Sequence, residues 1–184
     1  AAIYSKEDLI INGNGTLNVN AGYRNGIKST DDCIIVSGTL NITSTEDGII
    51  GKDLCRVVAG DININAGSDG IKSTYDTDTT KGNVIIEGGN ITIKASNDGI
   101  QAENILVIND GTINIKTNNG AADTTQTHTD NMYMDRGGFG FNNNKTTTTT
   151  DDTVESRKGI KAGNMLIIND GDITIDSDDD SVHC

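Results

Sequence analysis

One short phrase returns along this chain at a nearly fixed step. It reads Asn25-Gly26-Ile27-Lys28, Asp47-Gly48-Ile49-Ile50, Asp69-Gly70-Ile71-Lys72, Asp98-Gly99-Ile100-Gln101, Asn119-Gly120-Ala121-Ala122, Lys158-Gly159-Ile160-Lys161 and Asp180-Ser181-Val182-His183. From Gly26 the steps between glycines are 22, 22, 29, 21 and 39, with 22 more to Ser181. The longer steps read as one repeat plus an insertion. A period of this size marks a solenoid, in which each repeat buries its apolar face only against its neighbours.

Two further segments recur in phase. Gly15-Thr16-Leu17-Asn18-Val19, Gly38-Thr39-Leu40-Asn41-Ile42 and Gly60-Asp61-Ile62-Asn63-Ile64 alternate apolar and polar residues, and later copies end at Ile93, Ile115 and Ile175. That is the pattern of a strand with one buried face. Apolar pairs and triplets such as Leu9-Ile10-Ile11, Ile34-Ile35-Val36 and Leu106-Val107-Ile108 form the third segment. Three short strands per period, joined by Gly, Asn and Asp turns and without hairpin signals, predict an all-β parallel β-helix. The expected solenoid has about 22 residues per coil and six full coils plus a partial one. Its ladders place Ile27, Ile49, Ile71, Ile100 and Ile160 inside, with Asn18, Asn41, Asn63, Thr92, Asn114 and Thr174 outside. Ladders of Ile, Leu and Val build a core without aromatic residues, which are only 3% of this chain. The absence of Pro fits strands that donate along the whole stack.

Residues 1–184 read as a single domain, with a loop insertion at about 122–157. A net charge of −13 opposes nucleic acid, whose phosphates need a basic surface. It also opposes an acidic polymer unless a cation bridges the two. No apolar run is long enough to span a membrane as a helix. The chain opens at Ala1-Ala2 without Met, so a processed N-terminus and an extracellular or cell-surface location are expected. Cys33 and Cys55 share one ladder position. In-register strands about 4.8 Å apart suit stacked thiols better than a disulfide, whose Cβ atoms stand about 3.8 Å apart. The chain stops at Cys184 in mid-coil without a polar cap, so a continuation or a stacking partner is expected there.

Two insertions interrupt the period, at Thr74–Thr80 and from about Asp123 to Ser156. Both are expected to leave one corner of the helix. The second holds Tyr133, Phe139 and Phe141, aromatic rings that either stack on sugar faces or tether the loop to the apolar β-surface. Ile11, Val36, Val58, Ile86, Ile108 and Ile168 are expected to form an exposed apolar column. Such a strand face, like the open helix ends, offers a route to self-association.

The acidic residues are ordered by the repeat. One column holds Asp47, Asp69 and Asp98, with Asn25 below, Asn119 above and Asp180 further on. A second corner carries Asp31, Asp53 and Glu103, with Asp76 and Asp78 in the insertion. A lone Asp-Gly reads as a turn. Carboxylates stacked at about 4.8 Å repel one another, and Ca²⁺, which takes six to eight oxygens, relieves that repulsion. Lys28, Lys72 and Lys161 share an outward column with Gln101 and His183. They read either as a solvated face that neutralises the Asp residues or as a sugar-binding row. Lys72 or Lys161 beside a metal-binding Asp also matches the base of a uronate lyase. No paired-His or Cys-x-x-Cys spacing suggests a transition metal.

The ordered series Ala2-Ile3-Tyr4-Ser5-Lys6 with Asp8-Leu9, Gly26-Ile27-Lys28-Ser29 with Asp32, Asp47-Gly48-Ile49-Ile50-Gly51-Lys52-Asp53, Asp98-Gly99-Ile100-Gln101-Ala102, Lys158-Gly159-Ile160-Lys161-Ala162 and Asp179-Asp180-Ser181-Val182-His183 resembles a bacterial family. Its members are described as carbohydrate-binding domain-containing proteins, the cellulose- and acid-sugar-binding β-helix family. They are similar in fold to the family-nine pectate lyases. The resemblance implies an extracellular right-handed parallel β-helix that binds Ca²⁺ and plant-type polysaccharides, cellulose or polygalacturonate. On that expectation Asp47, Asp69, Asp98, Asp31, Asp53, Glu103 and Asp180 are the metal candidates. Lys28, Lys72, Gln101, Lys161, Tyr133, Phe139 and Phe141 are the ligand-binding candidates. Two alternatives stay open: a Ca²⁺-dependent lyase and a structural surface or filament subunit.

Overall fold

The computed structural model describes residues 1–120 and 156–184. Every strand is short, and no helix is present among the described residues. The strands fall into three parallel sheets that share one axis, so the chain is a parallel β-helix. Sheet A stacks Ile3–Ser5, Ile27–Ser29, Ile49–Gly51, Ile71–Ser73, Ile100–Ala102, Ile160–Ala162 and Val182–His183. Sheet B stacks Leu9–Ile11, Asp32–Ile35, Leu54–Val57, Asn83–Ile86, Ile105–Ile108 and Met165–Ile168. Sheet C stacks Thr16–Ala21, Thr39–Ser44, Asp61–Ala66, Asn90–Ala95, Thr112–Thr117 and Asp172–Asp176.

The register follows the repeat. Ile27 pairs with Ile49, Ile49 with Ile71, Ile71 with Ile100 and Ile100 with Ile160, and all five are wholly buried. Each such side chain contributes about 1.5–3 kcal/mol by leaving water. Cys33 lies opposite Cys55, and both are free and buried, as stacked thiols should be. Their mutual contact and their burial push the Cys55 thiol well up, so it stays protonated.

The glycine of the phrase is set by crowding. A Cβ at Gly48 would stand 2.5 Å from Ile64 Cγ2 and 2.6 Å from the Gly70 carbonyl oxygen, so no larger residue fits. A second glycine column, at the corner between sheets B and C, is set by conformation. Gly38, Gly60, Gly89, Gly111 and Gly171 all have φ between 103° and 125°, a region that side chains rarely enter.

Three expectations are corrected. Gly120 is not in the phrase column. Gly99 N–H donates instead to Lys158 O at 2.9 Å, and Gly159 takes the next place. Gly120 N–H closes a turn on Thr117 O at 2.8 Å. In sequence, this copy carries Ala121 where the copies that enter sheet A carry a β-branched Ile or Val, a residue type favoured in strands. The two insertions therefore leave different corners. The first follows Ile71–Ser73 in sheet A, and the second follows Thr112–Thr117 in sheet C.

The expected outward column of sheet B mixes two registers. Ile11, Ile86, Ile108 and Ile168 fall in the inward row, one residue past the outward one, whereas Val36 and Val58 stand two residues past it and are half-buried. Ile86 and Ile108 are wholly buried, whereas Ile10 is 61% exposed and stacks with Ile34, Arg56, Ile85, Val107 and Ile167. Arg56 interrupts this apolar row and donates from Nη2 to Glu87 Oε1 at 2.9 Å. Ile168 points inward by register and is exposed because it lies in the last stacked strand of sheet B.

Candidate functional site

The phrase residues meet at the corner between sheets C and A. Asp47 N–H donates to Asn25 Oδ1 at 3.2 Å, Asp69 N–H to Asp47 Oδ1 at 3.1 Å, and Asp98 N–H to Asp69 Oδ1 at 3.0 Å. Lys158 N–H then donates to Asp98 Oδ1 at 2.8 Å. Each short side chain thus caps the amide of the same position in the next coil, which is why the position takes Asn or Asp. Lys158, not Asn119, occupies the step above Asp98. Asp180 continues the column, since its carbonyl accepts from Gly159 N–H at 3.1 Å, and its Oδ2 stands 3.0 Å from His183 Nδ1.

The remaining carboxylate oxygens of Asp69 and Asp98 meet lysines. Lys72 Nζ lies 2.6 Å from Asp69 Oδ2, and Lys161 Nζ lies 3.3 Å from Asp98 Oδ2. Ser156 Oγ donates to Asp98 Oδ1 at 2.7 Å. The Asp69 and Asp98 side chains are only 5% and 1% exposed. Burial disfavours the Lys72 ammonium, but Asp69, with Asp47 and Glu103 behind it, outweighs burial and holds Lys72 above the ordinary lysine value. Lys28, Lys72, Gln101 and Lys161 do share one outward row of sheet A, with Ile50 between the first two.

A second acidic group gathers at the corner between sheets A and B. One carboxylate oxygen each from Asp8, Asp31 and Asp32 lies within 4.8 Å of the others. Asp32 N–H donates to Asp8 Oδ1 at 3.3 Å. Desolvation comes first in raising both Asp31 and Asp32 above the ordinary carboxylate value. Neighbouring carboxylates add to it, Asp53 and Asp8 acting on Asp31, and Asp8, Asp31 and Asp53 on Asp32. Asp53 sits one step along, its N–H on Asp31 O at 3.3 Å, and it is ion-paired to Lys81. Lys81 directly follows the first insertion, whose Tyr75 ring lies 5.0 Å from its Nζ and 4.6 Å from that of Lys52. Glu103, further along, accepts from Gln101 Nε2 at 3.0 Å.

Asp8 and Asp32 were not among the expected ligands. Their signal was present, because Asp31-Asp32 is an adjacent pair and Asp8 precedes Asp32 by one coil. Tyr133, Phe139 and Phe141 lie outside the described residues.

The outer face of sheet C is different again. Its central ladder runs Asn18, Asn41, Asn63, Thr92, Asn114 and Thr174 in register. Asn41 Nδ2 donates to Asn18 Oδ1 at 2.9 Å, and Asn63 Nδ2 to Asn41 Oδ1 at 3.1 Å.

Against known proteins, the profile described as "Carbohydrate-binding domain-containing protein" matches residues 1–184. A protein of that description from Acetivibrio thermocellus is 45% identical over 42 residues, 23% of this chain and 15% of that protein. A solved structure of a polysaccharide lyase-like protein from C. thermocellum, a gadolinium derivative, is similar with a TM-score of 0.68 and 27% identity. That likeness covers 93% of this chain and 55% of the solved one, so the chain spans about half the length of that relative. Three parallel sheets in register, and a profile match over the whole length, place the chain in one family: it belongs to the carbohydrate-binding domain-containing proteins.

Proposed function

We propose that this chain binds polysaccharide outside the cell, and that Ca²⁺ links its acidic surface to acid sugars such as polygalacturonate. The carrying observation is the gathering of Asp8, Asp31 and Asp32 at one corner. Of the two acidic stacks, this corner has the donor set that suits a hard divalent cation. The Asp47, Asp69 and Asp98 column suits it less, because backbone N–H groups and two lysines already engage its oxygens. Asp8, Asp31 and Asp32 would hold the cation, with Asp53 beside them. Bound there, Ca²⁺ supplies open coordination positions that uronate carboxylates can take. That accounts for an acidic protein holding an acidic polymer.

A lyase reading asks Lys72 or Lys161 to be a neutral base. Lys72 is held protonated by Asp69, and Lys161 is paired with Asp98. Both lysines are better suited to balancing the buried column.

Retardation of the protein in gels containing polygalacturonate tests the proposal. Retardation in Ca²⁺, its loss in chelator, and its loss in Asp31→Asn/Asp32→Asn are the expected results. Equal retardation in Ca²⁺ and in chelator would overturn it.

A further inference from the structure

The first insertion rejoins the coil at the acidic corner. Asp31, Asp53, Gly82, Asn104 and Asn164 form one backbone column there. Asp53 N–H donates to Asp31 O at 3.3 Å, Gly82 N–H to Asp53 O at 2.7 Å, Asn104 N–H to Gly82 O at 2.9 Å and Asn164 N–H to Asn104 O at 2.9 Å. The column is acidic at its first two steps and amide at its last two. Between them stands a glycine with φ 74°, where a Cβ would meet the Tyr75 carbonyl oxygen at 2.2 Å. No side chain fits at that step. Lys81, one residue earlier, brings a cation there instead, and its ammonium pairs with Asp53.

The backbone beneath that ammonium is pinned. Lys81 N–H donates to Asp78 O at 3.0 Å, and Asp78 Oδ1 accepts from Thr80 N–H at 2.9 Å and from Thr80 Oγ1 at 2.7 Å. Asn83 Nδ2 donates to Thr80 O at 2.9 Å. The Lys81 side chain is less confined. It is 41% exposed, against 11% for that of Asp53. The Tyr75 ring centroid stands 5.0 Å from its Nζ, and the negative face of such a ring attracts an ammonium. The ammonium therefore has a second resting place close by. Its charge also reaches the rest of the corner. Desolvation and neighbouring carboxylates raise Asp31 and Asp32, and Lys81 pulls the other way at both. A side-chain hydrogen bond with Asp53 adds to the rise of Asp31, so the two carboxyl groups are neighbours.

We infer that Lys81 is a tethered competitor for the divalent cation at this corner. Its ammonium holds Asp53 while no metal is bound. Ca²⁺ takes Asp53 as a further ligand and leaves the ammonium on the Tyr75 ring. The inference rests on the proposed calcium corner and assigns that corner its affinity control. Ca²⁺ takes six to eight oxygens, so a fourth carboxylate beside Asp8, Asp31 and Asp32 has a use. A competitor on a short tether stays at high effective concentration. It weakens the metal by a constant factor, so the corner fills only where Ca²⁺ is abundant.

Calorimetric titration of the full chain with Ca²⁺ tests this. Lys81→Met should bind Ca²⁺ about threefold to tenfold more tightly than the parent, the scale of one partly exposed ion pair. Lys52→Met removes the same charge from the same ring, whose centroid lies 4.6 Å from the Lys52 Nζ. It should change the affinity by less than about twofold, because an exposed charge is screened. The gain from Lys81→Met should vanish on an Asp53→Asn background. Lys81→Gln serves if Lys81→Met misfolds. Unchanged or weaker binding on loss of the Lys81 charge overturns the inference. So does an equal gain in Lys52→Met, or a gain that survives Asp53→Asn. Each of these outcomes leaves the proposed function standing, because Ca²⁺ still binds. Failure of Ca²⁺ to bind both the parent and Lys81→Met overturns the proposed function itself, and the inference with it.

Discussion

Asp47, Asp69 and Asp98 stack at one corner of the helix, and Asp8, Asp31, Asp32 and Asp53 crowd another. The first stack is finished by the protein. Its oxygens cap backbone amides and meet Lys72 and Lys161, so charges repeated along the axis become part of the hydrogen-bond ladder. The second stack is not finished. Lys81 reaches Asp53, while Asp31 and Asp32 have no ion pair of their own among the described residues. Desolvation and neighbouring carboxylates raise both, as they raise Asp69 in the first stack, where Lys72 works against the rise. A row of carboxylates is therefore not in itself a metal site. What separates the two is whether the fold supplies donors at the same period as the acids.

The sharpest way to break this comparison is Asp98→Ala. The substitution removes the acceptor of Lys158 N–H and strands Lys161 beside a buried site. Removing one partner of a buried pair costs about 3–5 kcal/mol, or roughly 6–20 °C in melting temperature for a chain of this size. A melt within a degree or two of the parent would show that the column is not structural.

Calcium should have the next largest effect. At a hundredfold excess over Kd a ligand of the native state adds about 2.7 kcal/mol, so Ca²⁺ should raise the melting temperature of the parent and of Asp69→Asn alike. It should leave Asp31→Asn/Asp32→Asn unmoved. A calcium response that disappears with Asp69→Asn instead would return the site to the column.

Lys72→Met leaves the Asp69 carboxylate buried without its cation. A loss of about 2 kcal/mol is expected, the scale of a hydrogen bond between charged groups. Chemical denaturation measures it. No loss would mean that Lys72 serves the surface, not the column.

The smallest effect is one of pH. Asp31 and Asp32 have raised values in the fold, so their ionisation opposes folding. That penalty is absent below the ordinary value of 3.8 and develops as pH rises through the raised folded values. In chelator, Asp31→Asn/Asp32→Asn should therefore melt higher than the parent near neutral pH, and the gap should close on acidification. A gap that widens on acidification would reverse the sign assigned to this corner.

The repeat made most of the fold legible, because a period of one coil and an inward Ile every period leave a single register. It misled where local composition was degenerate. In Leu9-Ile10-Ile11 and its counterparts both faces of the strand are apolar, so alternation could not say which residue points in. Asn119-Gly120 matched the phrase in spelling, but Lys158-Gly159 takes its place above Asp98-Gly99. The Asp column was legible as a column and not as a hydrogen-bond ladder, since the same residue type serves a cation or an amide. Asp8 is easy to miss because it precedes the first copy of the phrase, where no column had yet begun. Only the register sets it against Asp32.

The second insertion has a consequence for the order of folding. Partners in sheet A are separated by 22 residues at Ile27–Ile49 and by 60 at Ile100–Ile160. Closure entropy grows with the logarithm of the intervening length, so this one step costs about 0.9 kcal/mol more than its neighbours. A solenoid assembles by propagation from coil to coil, and propagation should pause there. The strands from Ile160 onward would dock last and detach first. Hydrogen exchange that is faster at Leu166 and Ile173 than at Leu40 and Ile62 would reveal two kinetic units inside one continuous stack of sheets.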